Sequence, residues 1–421
     1  MNLIEDLRWR GLLAQSTEET ALLESLKMPT TLYVGFDPTA PSLHVGNLVV
    51  LLVLRRFQLA GHNPIALVGG ATGLVGDPSG KNEERTLNTN ETVEGWVDRI
   101  RAQVSAFIDF DSATNPAVVV NNLDWTAPLT AIEFLRDIGK HFSVNQMLAK
   151  ESVASRLEAG GISYTEFSYQ VLQSYDFLEL FRRNNCTLQV GGSDQWGNIV
   201  AGLDLIRRVE QGTAHALTVP LLTKTDGTKF GKTAGGSVWL DPELTSPYAF
   251  FQYWLNTDDK DVINFLKVFS FKSHSEIIEL ETAHLENPGM RAAHRALAQE
   301  LTSLVHSQEI AARVEAAAYA LFGQGELSEL DETTLASALA ELPRTALSAN
   351  AEIPTWVDLL AATGVVDSKS AARRIVKEGG AYLNNVKITG EDFRLSKSDF
   401  LCGKYAVLRK GKRDLAAVEL V

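Results

Sequence analysis

Residues 31–58, TLYVGFDPTAPSLHVGNLVVLLVLRRFQ, decide the fold of this 421-residue chain. The β-branched and aromatic residues 31–36 predict a strand. Two prolines and Ser42 then indicate a turn and the start of a helix. Residues 43–57 are good helix formers and stay apolar up to Arg55, which predicts a largely buried helix. A strand, a tight turn and a buried helix open a doubly wound parallel sheet, whose nucleotide sites lie at the carboxyl ends of strands.

The first turn of this predicted helix carries two polar side chains on one face. His44 and Asn47 are three residues apart, and Gly46 between them has no Cβ, so a flat ring can come close to the backbone. Taken alone, the pattern favours a structural role in which His44 caps the helix or packs against it. A second stretch, far downstream, changes this interpretation.

Length and composition limit the possible classes of protein. With 421 residues, 45% of them hydrophobic, the chain is expected to form two or three domains with cores of their own. No apolar run reaches the roughly 18 residues that a membrane-spanning helix needs, and the first residues lack a signal-peptide pattern. Two cysteines, Cys186 and Cys402, fit a reducing compartment. We therefore expect a cytoplasmic protein with no membrane partner.

Charge is distributed unevenly along the chain. The net charge of −13 argues against a general nucleic-acid coat. Residues 351–421 hold 12 Lys+Arg and 9 Asp+Glu, a balance of +3, so the remaining 27 and 43 leave −16 for the rest of the chain. A basic C-terminal module on an acidic body predicts that polyanion binding is local.

Patterns of hydrophobicity and turn residues divide the chain into four predicted parts. The first is an α/β, Rossmann-like catalytic domain, and the second combines a glycine-rich loop with an almost purely helical domain. The third is acidic and weakly periodic, which is typical of a linker with one short helix, and the last is a small α+β module. Their predicted bounds are 1–222 with a helical insertion at about 125–160, 223–322, 323–353 and 354–421.

The second polar stretch, residues 229–233, reads KFGKT. Two lysines three residues apart, on a glycine-hinged loop after the last predicted strand, can close over an anion. Lys224 adds a further positive charge. Taken alone, a solvated surface loop explains this stretch as well.

Together the two stretches resemble the HIGH and KMSKS signatures of class I aminoacyl-tRNA synthetases, in order and in spacing. The match extends over most of the chain and is most specific for bacterial tyrosyl-tRNA synthetases. Its blocks are YVGFDPTAPSLHVGN, ALVGGATGLVGDPSG, FSYQVLQSYDFL, GGSDQWGN and DGTKFGKT. Asn47, Phe230, Gly231 and Thr233 depart from the general signatures, while both lysines remain.

This resemblance implies a reaction in two steps, with ATP as a substrate that carries Mg²⁺. The tyrosine carboxylate attacks the α-phosphate of ATP, and the tyrosyl group then passes to the 3′ end of tRNA(Tyr). No dedicated cluster of carboxylates for a metal is expected. The catalytic residues implied are Thr39, His44, Asn47, Lys229 and Lys232, with Lys224 as a weaker candidate. ATP contacts are implied for these five and for Gly35, Gly46, Gly192 and Asp194. From position alone, Asp194 fits a ribose acceptor and a helix N-cap equally.

Three polar residues, Tyr169, Gln173 and Asp176, fall on one face of a predicted helix. Their apolar neighbours suggest that this face lines a cavity, although a solvated face opposite a buried one fits equally. The resemblance implies that the substrate phenol donates to Asp176 and accepts from Tyr33. It assigns the substrate ammonium group to Asp77, Tyr169 and Gln173, and it places Asp37 and Gln195 in the same pocket.

The C-terminal module resembles the S4-like RNA-binding fold. Ser368 is the predicted N-cap of a basic helix. The predicted RNA-binding residues are Lys369, Arg373, Arg374, Lys377, Arg409, Lys410, Lys412 and Arg413. Members of the family are homodimers, and the resemblance implies the same here. The alternatives are an RNA-binding protein without catalysis, a nucleotidyltransferase for small metabolites, and an enzyme specific for tryptophan.

Overall fold

The computed structural model forms two compact units. It describes residues 2–421 except 80–87, 151–152, 155, 158–160, 226, 229, 234–235, 349, 351 and 412. For residues 232 and 233 it describes the backbone but not the side chains. The first unit comprises the chain up to Asp241 and Asp258–Glu286, and the second comprises Pro242–Thr257 and Asn287–Val421. In the described ranges, no helix combines the length and apolarity needed to cross a membrane.

A twisted six-stranded sheet forms the centre of the first unit. Its strands are β1 (Gln15–Ser16), β2 (Thr31–Phe36), β3 (Asn63–Val68), β4 (Val118–Asn121), β5 (Cys186–Gly192) and β6 (His215–Val219). They follow the order β1-β6-β5-β2-β3-β4, with β1 antiparallel to β6 and every other pair parallel. The doubly wound parallel sheet predicted from the sequence is therefore confirmed. The short strand β1 was not predicted.

Strand β2 lies at the switch point of this sheet. From β2 the chain builds outward through β3 and β4, then returns to add β5 and β6 on the other side. Crossovers on the two sides of such a point leave a crevice at the carboxyl ends of the central strands. The residues that follow β2, β3 and β5 are therefore brought to one place.

Helices cover both faces of the sheet. The predicted buried helix is Val45–Leu59, and the helix predicted to carry Tyr169, Gln173 and Asp176 extends over Tyr164–Asn184. The other helices of the sheet domain are Leu3–Trp9, Glu19–Ser25, Thr72–Val75, Asn90–Ser105, Leu123–Thr126 and Trp196–Glu210. The insertion contains the short helical segments Ala131–Glu133, Phe134–Ile138, Gly139–His141 and Val144–Leu148.

The segment 258–286, grouped with the helical domain from its sequence, belongs to the first unit instead. Its helices are Val262–Phe269 and His274–Glu286. Two buried guanidinium groups explain the placement. Arg10 donates to the carbonyl oxygens of Ser270 at 3.2 Å and Lys272 at 2.8 Å, and Arg56 also donates to Ser270. Such long-range hydrogen bonds from buried side chains leave no periodic signal in the sequence.

The second unit joins helices to a small five-stranded sheet. Its helices are Pro247–Leu255, Ala292–Val305, Gln308–Leu321, Glu332–Ala340, Trp356–Ala362 and Lys369–Lys377, with short 3₁₀ turns at Pro288–Met290, Leu327–Glu329 and Lys397–Asp399. Its strands are β9 (Arg344–Leu347), β10 (Ala381–Leu383), β11 (Val386–Lys387), β12 (Tyr405–Lys410) and β13 (Asp414–Leu420), in the order β11-β10-β12-β13-β9.

The stretch 323–353 is more structured than the predicted linker. It contains the helix Glu332–Ala340, which buries Leu335 and Leu339 completely or nearly so. It also contributes β9, which pairs with β13 in the parallel direction. Because β9 is a four-residue edge strand without a buried residue, its sequence carries no strong strand pattern.

Candidate active site

The two signature stretches meet through their backbones. Val238, which follows a short hairpin of β7 (Lys232–Thr233) and β8 (Gly236–Ser237), accepts from the N–H of Val45 at 3.0 Å. Val238 donates in turn to the carbonyl of Gly231 at 3.0 Å. Gly231 has a φ of +77°, and a Cβ built there would lie 2.9 Å from the Val45 side chain, so glycine is needed for this approach. The lysine loop is therefore joined to the start of the helix that carries His44.

His44 is the N-cap of that helix, the structural role that the sequence left open. Its Nδ1 accepts from the N–H of Gly46 at 3.0 Å, and Asn47 Oδ1 accepts from the N–H of His44 at 3.1 Å. An Nδ1 that accepts leaves the proton of the neutral ring on Nε2. A Cβ on Gly46 would lie 2.7 Å from the imidazole, so this glycine makes room for the ring. Capping thus fixes His44 as an Nε2–H donor.

The lysines of the loop stay predictions at the level of their side chains. Lys229 lies outside the described residues, and for Lys232 only the backbone in β7 is described. Between them, Phe230 packs against Phe265 and Phe269, with ring centroids 5.0 and 5.4 Å away. Lys224 is half-buried and starts a turn closed by its own backbone bonds. The described part of the loop is therefore fixed by an aromatic contact.

Asp37, just after β2, lies in a chain of short hydrogen bonds. It accepts from the hydroxyl of Thr72 at 2.6 Å and from the phenol of Tyr169 at 2.6 Å. A Cβ on Gly69 would lie 2.0 Å from Asp37 Oδ1, which explains one glycine of the GGATG loop. Burial and the nearby carboxylates raise the pKa of Tyr169 well above its usual value, so this phenol stays protonated and donates.

Asp176 is a carboxyl group buried beneath the sheet edge. It is 2% exposed and accepts from Asn122 Nδ2 at 2.9 Å and from the indole of Trp125 at 2.8 Å. Burial raises its pKa to about 7, although these two donors act in the opposite direction. Asn122 also donates to Thr72 at 3.0 Å, which links this carboxyl to the network around Asp37.

Asn122, Trp125 and Thr72 were missed by the sequence analysis. Asn122 and Thr72 each follow a parallel strand, β4 and β3, at the edge where the polar side chains gather. That position was a usable signal. For Trp125 we find no signal in the sequence, since its partner lies 51 residues away.

Two polar atoms of the predicted tyrosine pocket have no partner within the described structure. The hydroxyl of Tyr33 is buried, and its residue is 1% exposed, yet nothing bonds to it. The same is true of Gln173 Oε1. A buried polar atom without a hydrogen bond is costly, so such atoms indicate where a ligand supplies the missing partner. Burial also raises the pKa of Tyr33 well above its usual value, which keeps this phenol neutral.

A second polar network surrounds Asp77. Gln195 donates to Asp77 Oδ2 at 2.6 Å, and the N–H of Ser79 donates to Oδ1 at 2.9 Å. Asn198 donates to Gln195 Oε1 at 3.3 Å, which orients the amide of Gln195. The structure therefore brings Asp77 and Gln195 together, as predicted for one pocket.

The remaining nucleotide-site candidates lie at the surface of the sheet edge. Gly35, Thr39 and Asp194 are exposed. A Cβ on Gly192 would lie 2.5 Å from Asp194 Oδ1, so glycine is required at that position. Gln195, and not Asp194, is the N-cap of the helix Trp196–Glu210, and Asp194 forms no side-chain cap. This observation removes the capping alternative for Asp194.

The described candidate RNA-binding residues lie on the helix Lys369–Lys377, at the end of β12 and on the loop before β13. The helix Lys369–Lys377 begins at its predicted N-cap, where the Ser368 hydroxyl accepts from the N–H of Ala371 at 3.2 Å. Arg373, Arg374 and Arg413 are exposed, and Lys412 lies outside the described residues. The other candidates have intramolecular partners: Lys369 with Asp358, Lys377 with Glu391, Lys410 with Asp414 and Arg409 over the ring of Tyr382.

The buried carboxyl predicts a specific dependence of stability on pH. Because the pKa of Asp176 is raised from 3.8 to about 7 in the folded state, folding binds a proton that the unfolded chain releases. Stability contributed by this group is therefore full below pH 3.8, falls as the pH rises to about 7, and is constant above. Across this pH window, the free energy of unfolding of the wild-type protein should fall by on the order of a few kcal/mol relative to that of Asp176→Asn.

Chemical denaturation of both proteins between about pH 5 and about pH 8 measures this difference. Asp98→Asn, which removes one carboxylate at an exposed position, is the matched control. If the difference in free energy of unfolding between the wild type and Asp176→Asn does not change with pH, the raised pKa of Asp176 is contradicted.

Comparisons with known proteins show the family of this chain. A family model described as class I tRNA synthetases (W and Y) matches residues 25–323. A second, described as the tyrosine–tRNA ligase SYY-like C-terminal domain, matches residues 334–418. The tyrosine–tRNA ligase of Streptomyces coelicolor is 61% identical and that of Thermobifida fusca 58% identical, each over 100% of this chain and 99% of its own length.

Solved structures give the same result for the fold. A C-terminally truncated mitochondrial tyrosyl-tRNA synthetase of Aspergillus nidulans superimposes with a TM-score of 0.69 at 29% identity, over 76% of this chain and 94% of its own. A tyrosyl-tRNA synthetase of Archaeoglobus fulgidus, at 17% identity and a TM-score of 0.56, shares the fold over 74% of this chain and 99% of its own. This chain therefore belongs to the tyrosine–tRNA ligase family of class I aminoacyl-tRNA synthetases.

Proposed function

We propose that this chain joins tyrosine to ATP, releasing pyrophosphate, and then transfers the tyrosyl group to the 3′ end of tRNA(Tyr). The observation that carries the proposal is the pair formed by Tyr33 and Asp176. One is a buried hydroxyl without a partner, and the other is a buried carboxyl whose two oxygens are already oriented by donors. A phenol offers a donor and an acceptor, which this pair can use together.

Selectivity follows from the cost of leaving buried polar groups unpaired. The substrate phenol donates to Asp176 and accepts from Tyr33. Phenylalanine would leave both groups without the bond, and tyrosyl-tRNA synthetases are themselves the usual example of this rule. The indole of tryptophan has an N–H donor but no acceptor, so it cannot accept the hydrogen bond that the Tyr33 hydroxyl donates.

The other end of the amino acid meets the two polar networks. Gln173 Oε1 is a buried acceptor without a partner in the described chain. An ammonium group has only donors, so it needs such an acceptor. Tyr169 is held by Asp37, and Gln195 is held by Asp77. We assign the substrate ammonium group to Gln173, Tyr169 and Asp77, and we place Asp37 and Gln195 beside it.

Activation needs alignment and charge neutralisation rather than a general base. The tyrosine carboxylate is ionised at neutral pH and is already a nucleophile. His44, with its proton on Nε2, and Asn47 and Thr39 donate to ATP from the helix start. Lys229 and Lys232 neutralise the charge that moves to the departing pyrophosphate. ATP brings Mg²⁺ with it, bound through its phosphate oxygens.

We assign tRNA binding to the C-terminal part of the chain. The helices Pro247–Leu255, Ala292–Val305 and Gln308–Leu321 of the second unit read the anticodon, and residues 354–421 form the S4-like module. Its exposed Arg373 and Arg374 lie on the helix that Ser368 caps, and Arg413 lies on the loop before β13. Such residues bind phosphates and position the tRNA rather than read its bases.

We also propose a homodimer in the cytoplasm that pairs through the insertion. This segment exposes several large apolar side chains, namely Ile132 (68%), Leu135 (53%), Val144 (59%) and Leu148 (38%). Apolar side chains so close in sequence are typical of a protein–protein interface.

Sedimentation equilibrium tests the dimer. The wild type should have twice the mass of its chain, and Leu135→Glu should shift the equilibrium toward monomer because a charge is costly to bury at an interface. Met28→Glu, at an exposed position outside the insertion, is the control. A wild type that stays monomeric at micromolar concentration contradicts the assignment.

Amino-acid-dependent exchange of pyrophosphate into ATP tests the activity. The wild type should show exchange with tyrosine and almost none with phenylalanine or tryptophan. Tyr33→Phe removes the hydroxyl but keeps the ring, so it should lower the preference for tyrosine over phenylalanine by about tenfold. Tyr164→Phe, which changes an exposed phenol, is the matched control and should leave the preference unchanged.

Two outcomes would overturn this function. Pyrophosphate exchange as fast with tryptophan as with tyrosine would favour an enzyme specific for tryptophan. Tight tRNA binding without any exchange would favour an RNA-binding protein.

A further inference from the structure

The contact between the two signature stretches continues as a short antiparallel ribbon. Residues 42–45 lie beside residues 238–241, the segment that follows the lysine loop, and His44 forms an antiparallel bridge with Trp239 at the centre. An isolated two-stranded ribbon is marginally stable at best in water. The relative position of the two stretches therefore depends on groups outside the ribbon.

A buried hydroxyl group connects the two strands of this ribbon at one end. Ser42 is 4% exposed, and its Oγ accepts from the N–H of Asp241 at 3.2 Å. The same hydroxyl donates to the carbonyl of Leu43 at 2.7 Å, and this carbonyl also accepts from the N–H of Leu240 at 2.9 Å. Ser42 is thus the point at which the segment after the lysine loop is tied to the residues before His44.

Gln103 holds this end of the ribbon from outside both stretches. It lies on the helix Asn90–Ser105, and the sequence analysis did not select it. Its Nε2 donates to Ser42 Oγ at 2.9 Å, and its Oε1 accepts from the N–H of Leu43 at 2.9 Å. Because the planar amide uses both its donor and its acceptor, its orientation is fixed. One side chain therefore sets the position of two consecutive residues of the first stretch.

The groups assigned to ATP are attached to both sides of this contact. His44 follows Leu43 directly, and Lys232 lies in the loop that leads into the segment 238–241. Activation depends on holding these groups at the same phosphates, and a displacement of about 1 Å can reduce such a rate by about a hundredfold. The ribbon is therefore placed to control the alignment of ATP.

The tyrosine pocket is held by other hydrogen bonds. Bonds from Thr72 and Tyr169 fix Asp37, and two donors fix Asp176. None of these bonds involves Gln103. Loosening the ribbon should therefore disturb the alignment of ATP and leave the binding of tyrosine intact.

We propose that Gln103 is a positioning residue for the activation of tyrosine, which acts through Ser42 and Leu43 to hold His44 and the lysine loop in a fixed relation. The inference rests on the proposed function and adds a residue from a third segment of the chain to the activation step. In this role Gln103 touches neither substrate. Its amide holds the backbone from which the groups that contact ATP are presented.

Gln103→Leu tests this role, because leucine keeps an apolar side chain and the helix but forms neither hydrogen bond. The kcat of tyrosine-dependent pyrophosphate exchange should fall by about tenfold, the effect of losing these hydrogen bonds on the alignment. The Kd for tyrosine, measured by equilibrium dialysis, should stay at the wild-type value. Hydrogen exchange gives a readout that is independent of activity, since the amides of Leu240 and Asp241 should exchange faster in the variant.

Gln103→Glu is the conservative variant. Its carboxylate can accept from the N–H of Leu43 and from the hydroxyl of Ser42, which has a proton of its own to donate. Both contacts are then kept with one donor reversed, so kcat should return to within about threefold of the wild type. Recovery of kcat supports the role of these two contacts, and a rate as low as that of Gln103→Leu counts against it.

Gln58→Leu is the matched control. Gln58 is buried near the end of the helix Val45–Leu59, and its Nε2 donates to the carbonyls of Asp109 and Asn115. This variant should lower the Tm and leave kcat unchanged. If Gln103→Leu behaves in the same way, with a lower Tm and a wild-type kcat, its role is only structural and the inference is overturned.

Failure of the inference can be separated from failure of the proposed function. A wild type without tyrosine-dependent exchange refutes the function, whereas an active wild type together with an unchanged kcat in Gln103→Leu refutes only the inference. A loss of tyrosine affinity as large as the loss of kcat also overturns it, because the effect is then not confined to the alignment of ATP. If Gln103→Leu does not fold, Ser42→Ala removes the hydroxyl that the amide holds and should lower kcat in the same way. A wild-type kcat in Ser42→Ala then overturns the inference.

Discussion

The site depends on one constraint, the burial of the Asp176 carboxyl under the parallel sheet. Removing this group from water raises its pKa to about 7, so near neutral pH it is divided between two protonation states. Asn122 and Trp125 offset part of the cost with hydrogen bonds of 2.9 and 2.8 Å. A neighbouring O–H donor stabilises the ionised form further, and a phenolic substrate is such a donor.

The rest of the pocket is connected to this carboxyl. Asn122 also bonds to Thr72, Thr72 to Asp37, and Asp37 to Tyr169, so one chain of hydrogen bonds runs from the phenol end to the ammonium end. Members of such a network hold each other in place, which suits a site that must exclude close analogues of its substrate. The capped His44, and the loop that Val238 joins to the start of the same helix, complete the place where ATP is expected.

The sequence predicted the frame of this molecule better than its contacts. The strand 31–36 and the helix after it were predicted because their patterns are local and strong. The pairing of Asp176 with Trp125 joins residues 51 positions apart, and the placement of 258–286 depends on Arg10, more than 250 positions away. Strand β9 was missed because a short edge strand has no buried face.

Proton release on tyrosine binding shows whether the substrate phenol donates to ionised Asp176. Calorimetric titration at about pH 6.5, in two buffers with different ionisation enthalpies, gives the number of protons exchanged. If the phenol donates to ionised Asp176, binding should release a substantial fraction of one proton, and Asp176→Asn should release none. Tight binding of tyrosine with no proton release, or with proton uptake, would contradict the account.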